Sequence, residues 1–313
     1  MMNGKMRHIH FFAGLLLPAL LAVLSGCTER TLETRPDPVP IRLYADIRTR
    51  AAIDAFDDTP VCIVSGTASG VYTASWDAVA TAGEIILTPV RYYPEDGSRL
   101  YLRGYYPPVP MSADGTLIYN LTGDEDLLLS DEQDGSLATP FIDANGRKLT
   151  YRHLLTKLNF TIRLEGNEVS SLRVRFLQLN GLADRVVLTL HTGRLSYDEA
   201  TAAIVVYSVS ADSEGLPFTE GMLQLPGYAL VQPKSDFTLD MVISIDDDRS
   251  HDFIYNDLPV SFEGGTGEGG VAYTVKVELP APTFPDPLPV KVTATIVPWE
   301  TGDSGSGNIP GWE

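Results

Sequence analysis

The chain has 313 residues, of which 23 are basic and 41 acidic, for a formal net charge of -18. That length accommodates two domains of roughly 100–200 residues each, and 44% apolar residues suffice for packed cores, which excludes global disorder. The acidity argues against a nucleic-acid partner, 2 Cys exclude a disulfide framework, and 5 His without paired Cys/His spacing argue against zinc.

Lys5 and Arg7 precede an apolar run from Phe11 to Leu24, and Ser25-Gly26-Cys27 follows. The run, about 14 residues, falls short of the ~20 needed to span a bilayer. A basic region, an apolar run and small residues before a cysteine resemble the lipobox of bacterial lipoproteins. The resemblance implies cleavage before Cys27, acylation of that residue and a multi-acyl anchor. Residues 1–26 therefore read as a signal peptide. Without them the net charge becomes -20, since two basic and no acidic residues leave. Residues 27–40 read as a tether, because Arg35-Pro36-Asp37-Pro38-Val39-Pro40 suits neither a helix nor a central strand.

From Ile41 onward the pattern predicts strand after strand. Alternation or short apolar runs cover Ile41–Ile47, Val61–Ser65, Glu84–Tyr92, Arg99–Tyr105, Thr116–Leu121 and Lys148–Leu164. They continue at Leu172–Leu179, Arg185–Leu190, Ala203–Val209, Met222–Val231, Asp236–Ile245, Asp252–Asn256, Ala272–Leu279 and Val290–Val297. Turn chemistry separates them, as at Glu95-Asp96-Gly97, Asp114-Gly115, Asn180-Gly181 and Thr192-Gly193. The best helical candidate is short, Ser75–Ala82. This spacing of short strands predicts an all-β chain of antiparallel β-sandwiches. Asp131–Arg147 is polar and turn-rich, which places a domain boundary there and divides the chain into 41–147 and 148–300. Gly264–Gly270 reads as a flexible loop, and 301–313, rich in Gly and Ser, as a loose tail.

No catalytic constellation is legible, and no cofactor is expected. His153 lies in an alternating strand, His191 at a turn and His251 in a loop, with no serine elbow or HExxH near them. Cys62 sits in Val61-Cys62-Ile63-Val64 and reads as a small buried hydrophobe. Asp124-Glu125-Asp126, Asp131-Glu132 and Asp246-Asp247-Asp248 read as solvated turn charge. A flexible acidic loop is the kind of site calcium takes, but Asp131–Gly135 lacks the spacing of a full EF-hand loop and no bidentate Glu closes it. Tyr92-Tyr93-Pro94 and Tyr105-Tyr106-Pro107 end strands. Tyr92, Tyr93, Tyr105 and Tyr106 are candidate glycan contacts by stacking, or else covers for a sandwich end.

Several blocks then fall in order: Ile47-Arg48-Thr49-Arg50-Ala51, Arg91-Tyr92-Tyr93-Pro94, Leu102-Arg103-Gly104-Tyr105-Tyr106-Pro107 and Asp126-Leu127-Leu128-Leu129-Ser130. After them come His153-Leu154-Leu155-Thr156-Lys157-Leu158 and Ile296-Val297-Pro298-Trp299. With the lipobox, this order resembles the fimbrillin-like (Mfa-like) lipoproteins of Bacteroidales, subunits and accessory proteins of type V pili. The resemblance implies two tandem transthyretin-like sandwiches, export to the outer membrane, and no enzymatic role. It also implies strand exchange with other fimbrial subunits, and a host or bacterial surface ligand for a tip subunit. In the family an arginine-specific or trypsin-like protease removes the first strand. Here that strand is Ile41–Ile47, with Ile41, Leu43, Ala45 and Ile47 on one face, and Arg50 or Arg48 is the expected cut. The polar tail beyond Trp299 departs from the hydrophobic donor strand of a stalk subunit. The alternative expectation is a surface glycan-binding lipoprotein of a polysaccharide-uptake system.

Overall fold

The computed structural model describes residues 37–47, 55–142, 146–164, 172–199, 202–210, 213–219, 221–234, 236–245, 248–262, 264–279 and 291–296. Cys27, Arg48, Arg50, the signal peptide, most of the tether and the tail lie outside the described residues.

Among the described residues the chain forms strands and no helix. The first nine are β1 (Leu43–Ile47), β2 (Thr59–Gly66), β3 (Ala74–Thr81), β4 (Glu84–Thr88), β5 (Leu100–Tyr106), β6 (Thr116–Asn120), β7 (Leu128–Ser130), β8 (Gln133–Gly135) and β9 (Leu149–His153). Next come β10 (Thr156–Leu164), β11 (Leu172–Leu182), β12 (Arg185–Thr189), β13 (Arg194–Tyr197), β14 (Ala202–Ser208), β15 (Leu216–Pro217) and β16 (Met222–Gln224). The last are β17 (Ala229–Val231), β18 (Thr238–Ile245), β19 (Asp248–Pro259), β20 (Ser261–Phe262), β21 (Ala272–Leu279) and β22 (Lys291–Ile296).

The first sheet runs β2-β3-β4-β1-β9-β7-β5-β8, and β2 also pairs with β5. That extra pairing closes seven strands into a ring, with β8 carried on β5. Inward residues fill the ring, among them Leu43, Ile63, Trp76, Ile85, Leu102, Leu128 and Tyr151. The opposite faces of β2, β5 and β7 contribute Cys62, Val64, Tyr105 and Leu129 to a second core. Leu117 and Tyr119 of β6 and Val186 and Leu188 of β12 complete it. Strands β13-β12-β6 form a small sheet of their own over that core.

The third core lies between two further sheets, β16-β10-β21-β22-β20 and β14-β11-β18-β19. Phe160, Ile162, Val174, Leu177, Leu239, Met241, Val275 and Val277 are fully buried there. Their spacing along β10, β18 and β21 is the period-2 alternation of strands with one face on a core, and in β11 a bulge between Val174 and Phe176 shifts the phase by one.

Three sequence expectations are corrected. Ser75–Ala82 is not helical. Its alanines favour a helix locally, but Trp76, Ala78 and Ala80 fall on one face at period 2, and β2 and β4 pair with the segment on both sides. Lys148–Leu164 is two strands: β9 joins β1 and β7, whereas β10 joins β21. The break at Leu154-Leu155 is pinned, since Leu154 N–H donates to Leu127 C=O and Gly270 N–H donates to Leu155 C=O. The Gly264–Gly270 loop is also tied down: Gly267 N–H donates to Lys234 C=O, and Thr156 Oγ1 donates to Glu268 C=O.

Chain from both sides of residue 147 meets in two sheets. Strand β9 belongs to the ring, and β12 pairs with β6 from Arg185↔Asn120 to Thr189↔Thr116.

Candidate functional site

Strand β1 is the one link between β4 and β9 in the ring. It runs antiparallel to β4, with Leu43 opposite Ile85, and parallel to β9, with Ala45 opposite Leu149 and Ile47 opposite Tyr151. The alternation read from the sequence holds: Ile41, Leu43 and Ala45 are buried, Ile47 is half-buried, and Arg42, Tyr44 and Asp46 face out. Three buried side chains and short ladders on two sides hold the strand.

Upstream of β1 the pairing continues. Pro40 forms a bridge with Tyr92, Ile41 N–H donates to Arg91 C=O at 2.7 Å, and Tyr93 N–H donates to Val39 C=O at 3.1 Å. Ala45 N–H donates to Gly83 C=O at 2.9 Å, at the turn between β3 and β4. On the outer face, Lys148 Nζ lies 3.7 Å from Asp46 Oδ2.

The four tyrosines do not form an exposed platform. Tyr93 is buried, stacks on Phe141 at 5.8 Å between ring centroids, and accepts Phe141 N–H on its hydroxyl at 2.8 Å. Tyr105 is fully buried and donates to Val109 C=O at 2.6 Å. A sugar cannot reach either ring, which corrects the stacking expectation at these two positions. Tyr106 is half-buried, and Tyr92 alone is largely exposed. Burial pushes the pKa of Tyr93, Tyr105 and Tyr106 above the ordinary tyrosine value, holding their hydroxyls neutral.

His153 does find an acid: its Nδ1 lies 2.8 Å from Asp126 Oδ1. Both side chains are enclosed, His153 at 0% and Asp126 at 4% exposure, so the pair is structural, and no substrate reaches it. Asp126, read from sequence as turn charge, is buried. The His191 ring packs on the Gly70 backbone, where an added Cβ would stand 1.7 Å from its Nδ1. Cys62 is buried with its Sγ 2.8 Å from Ser75 Oγ. Among the described residues no three His, Cys, Asp or Glu side chains gather as a metal would need.

Two polar anchors escaped sequence reading. Glu132, expected to be solvated, accepts from Ser69 Oγ at 2.6 Å, Gly70 N–H at 2.8 Å and Tyr72 Oη at 2.6 Å. Burial alone would raise its carboxyl, but these three hydrogen bonds and the Arg103 charge outweigh it and hold the group below its ordinary value. Arg103 is buried in β5. Its Nε donates to Ser130 C=O at 2.8 Å, and its Nη1 donates to the carbonyls of Leu190 and His191 beyond β12. No local motif marks either residue, because their partners are distant in sequence.

Among solved structures, the fold is similar to a candidate cell adhesion protein from Bacteroides uniformis, at TM-score 0.55 and 15% identity over 83% of this chain and 99% of that one. A second, from Bacteroides ovatus, aligns at TM-score 0.53 and 13% identity over 85% and 99% of the two chains. A third, from Parabacteroides distasonis, aligns at TM-score 0.50 and 9% identity over 84% and 97%. No curated protein matches the sequence. The sequence model described as fimbrillin-like matches residues 49–299, beginning just past β1. By this match the chain belongs to the fimbrillin-like family, whose members are structural proteins and not enzymes.

Proposed function

We propose that the chain is a structural or adhesive subunit of a surface fimbria. It is exported as an outer-membrane lipoprotein held through Cys27 and joins other subunits by strand exchange at the β1 seam. Cleavage after Arg50 or Arg48 frees β1, and a strand from another subunit takes its place. Main-chain hydrogen bonds supply the affinity and alternating side chains the register. The observation that carries this reading is the position of β1. It is a short amphipathic strand that closes the ring between β4 and β9, followed directly by arginines in the sequence. A resident β1 also protects two edges that would otherwise aggregate before assembly.

The same reading takes the chain as two tandem transthyretin-like sandwich domains. Its expected halves are 41–147 and 148–300, and the existence of separate ring and third cores supports a division.

Limited trypsin digestion of the purified exported protein tests the assembly. Cleavage after Arg48 or Arg50 should be followed by ladders of high mass in native gels. Monomers that stay monomeric after that cut would remove the polymerising role. Mass spectrometry of the exported chain should find acylated Cys27 as its first residue, and an intact unacylated N-terminus would remove the lipoprotein assignment.

A further inference from the structure

Resting on the strand-exchange reading, we infer that the acceptor groove recognises an extended peptide segment of nine residues, with a register clamp at one end and an acid-selecting position at the other. The ladder of β1 covers Leu43–Ile47 only, but the hydrogen-bonded footprint of the resident segment reaches back to Val39. At a strand rise of about 3.3 Å per residue, the span from Val39 to Ile47 fills a groove of roughly 30 Å.

When the segment leaves, Arg91 C=O, Gly83 C=O and Tyr93 N–H each lose a partner, along with the facing edges of β4 and β9. An occupant that covers only the β1 positions leaves the Arg91 and Tyr93 groups unpaired. Pro40 marks the step between those two bonds. It has no N–H, and neither bond uses one there, since Val39 accepts and Ile41 donates.

The Arg91–Tyr93 end fixes register. Leu43, Ala45 and Ile47 alternate regularly, and such a pattern slipped by two residues keeps its apolar side chains inward. Pairing at Val39 and Ile41 removes that freedom, because a slipped strand vacates it. Counting from Val39, the occupant carries apolar side chains at its third, fifth, seventh and ninth positions. At its eighth, where Asp46 stands, it faces the Lys148 ammonium across the outer surface, so an acidic side chain is preferred there.

The test uses the full chain with a specific protease site introduced between residues 48 and 54. After cleavage, fluorescent synthetic peptides compete with the resident segment, and anisotropy follows their uptake. The Val39–Ile47 peptide should enter. A Leu43–Ile47 peptide should bind at least about 30-fold more weakly, having lost two main-chain bonds and the Ile41 side chain. In the long peptide Asp46→Lys should weaken binding about three-fold, and Lys148→Glu in the protein should reverse that preference. Equal uptake of the short and long peptides, or an unchanged preference in Lys148→Glu, overturns the inference while leaving strand exchange standing. Failure of every peptide to enter the cleaved protein overturns strand exchange and the inference with it.

Discussion

Tyr151 projects into the ring from β9, and Gly104 on β5 makes the room for it. A Cβ at Gly104 would lie 1.8 Å from Tyr151 Oη and 2.5 Å from Cζ, and the ring is fully buried with no space to retreat. Gly104→Ala should therefore cost about 3 kcal/mol in urea denaturation, the upper range for overpacking. The Tyr151 hydroxyl has no hydrogen-bond partner among the described residues, so Tyr151→Phe should be neutral or stabilising by up to about 1 kcal/mol. Combining the two should recover only part of the loss, since the Cζ clash remains. Glu132 offers a pH-dependent counterpart. Its folded-state pKa is depressed, so its contribution is present above the ordinary carboxylate value of about 4.3 and fades as pH falls through the folded value. Glu132→Gln should lower stability by about 1 kcal/mol at pH 7, a figure reduced for partial exposure, and should flatten the acid limb of a stability–pH curve. A curve that keeps its steepness below pH 4 would show that other carboxylates govern that limb. Neither site was legible in the sequence. Gly104 reads as one residue of a strand until Tyr151 is placed across from it, and Asp131-Glu132 reads as turn charge until the Ser69–Tyr72 segment folds over it.

At the scale of elements, alternation was the reliable signal. The period-2 faces of β10, β18 and β21 stand where the sequence put them, because each strand packs one face on a core whatever its partners. Pairing partners were not legible. Lys148–Leu164 reads as one apolar stretch, but its inward positions shift from odd (Leu149, Tyr151, His153) to even (Leu158, Phe160, Ile162), and at Leu154-Leu155 the chain turns from the ring to another sheet through bonds to Leu127 and Gly270. Short strands such as β7, β8 and β15 are too brief to show a period and exist through their neighbours. The β12–β13 hairpin leaves β11, pairs with β6, and returns to β14. Arg103 ties its far end to β5 and β7, and the Gly193 turn packs against Arg152 and Leu129. Arg103→Met keeps much of the aliphatic packing but leaves the Leu190 and His191 carbonyls without a donor. It should cost about 2 kcal/mol and raise amide exchange in β12–β13 well before that in β2–β3. Uniform acceleration across both pairs would show that Arg103 supports the whole ring and not the hairpin.

For the whole molecule, the question is how far the ring and the third core depend on each other. The second core draws on both sides of the chain, β12 pairs with β6, and Leu230 N–H donates to Gly123 C=O at 2.6 Å. These links make the intact chain one cooperative body, so calorimetry should give a single transition with calorimetric and van't Hoff enthalpies in agreement. Strand β1 contributes to the ring core alone: Ile41, Leu43 and Ala45 belong to it, and none of them touches the third core. Removing the segment opens the ring between β4 and β9 and exposes the inner face that these residues cover. At about 25 cal/mol per Å² of apolar surface, fully buried aliphatic side chains contribute roughly 1.5–3 kcal/mol each, before the lost ladders are counted. That deficit falls on the ring and spares β10, β11, β18 and β21. The chain lacking Val39–Ile47 should therefore unfold in two steps, the lower belonging to the ring, with dye binding to exposed apolar surface at temperatures where the intact chain binds none. The nine-residue peptide added in trans should merge the two steps again by mass action, because it binds the folded groove and not the unfolded chain. A single transition at the original temperature without the segment would mean that β1 lies on the ring without closing it.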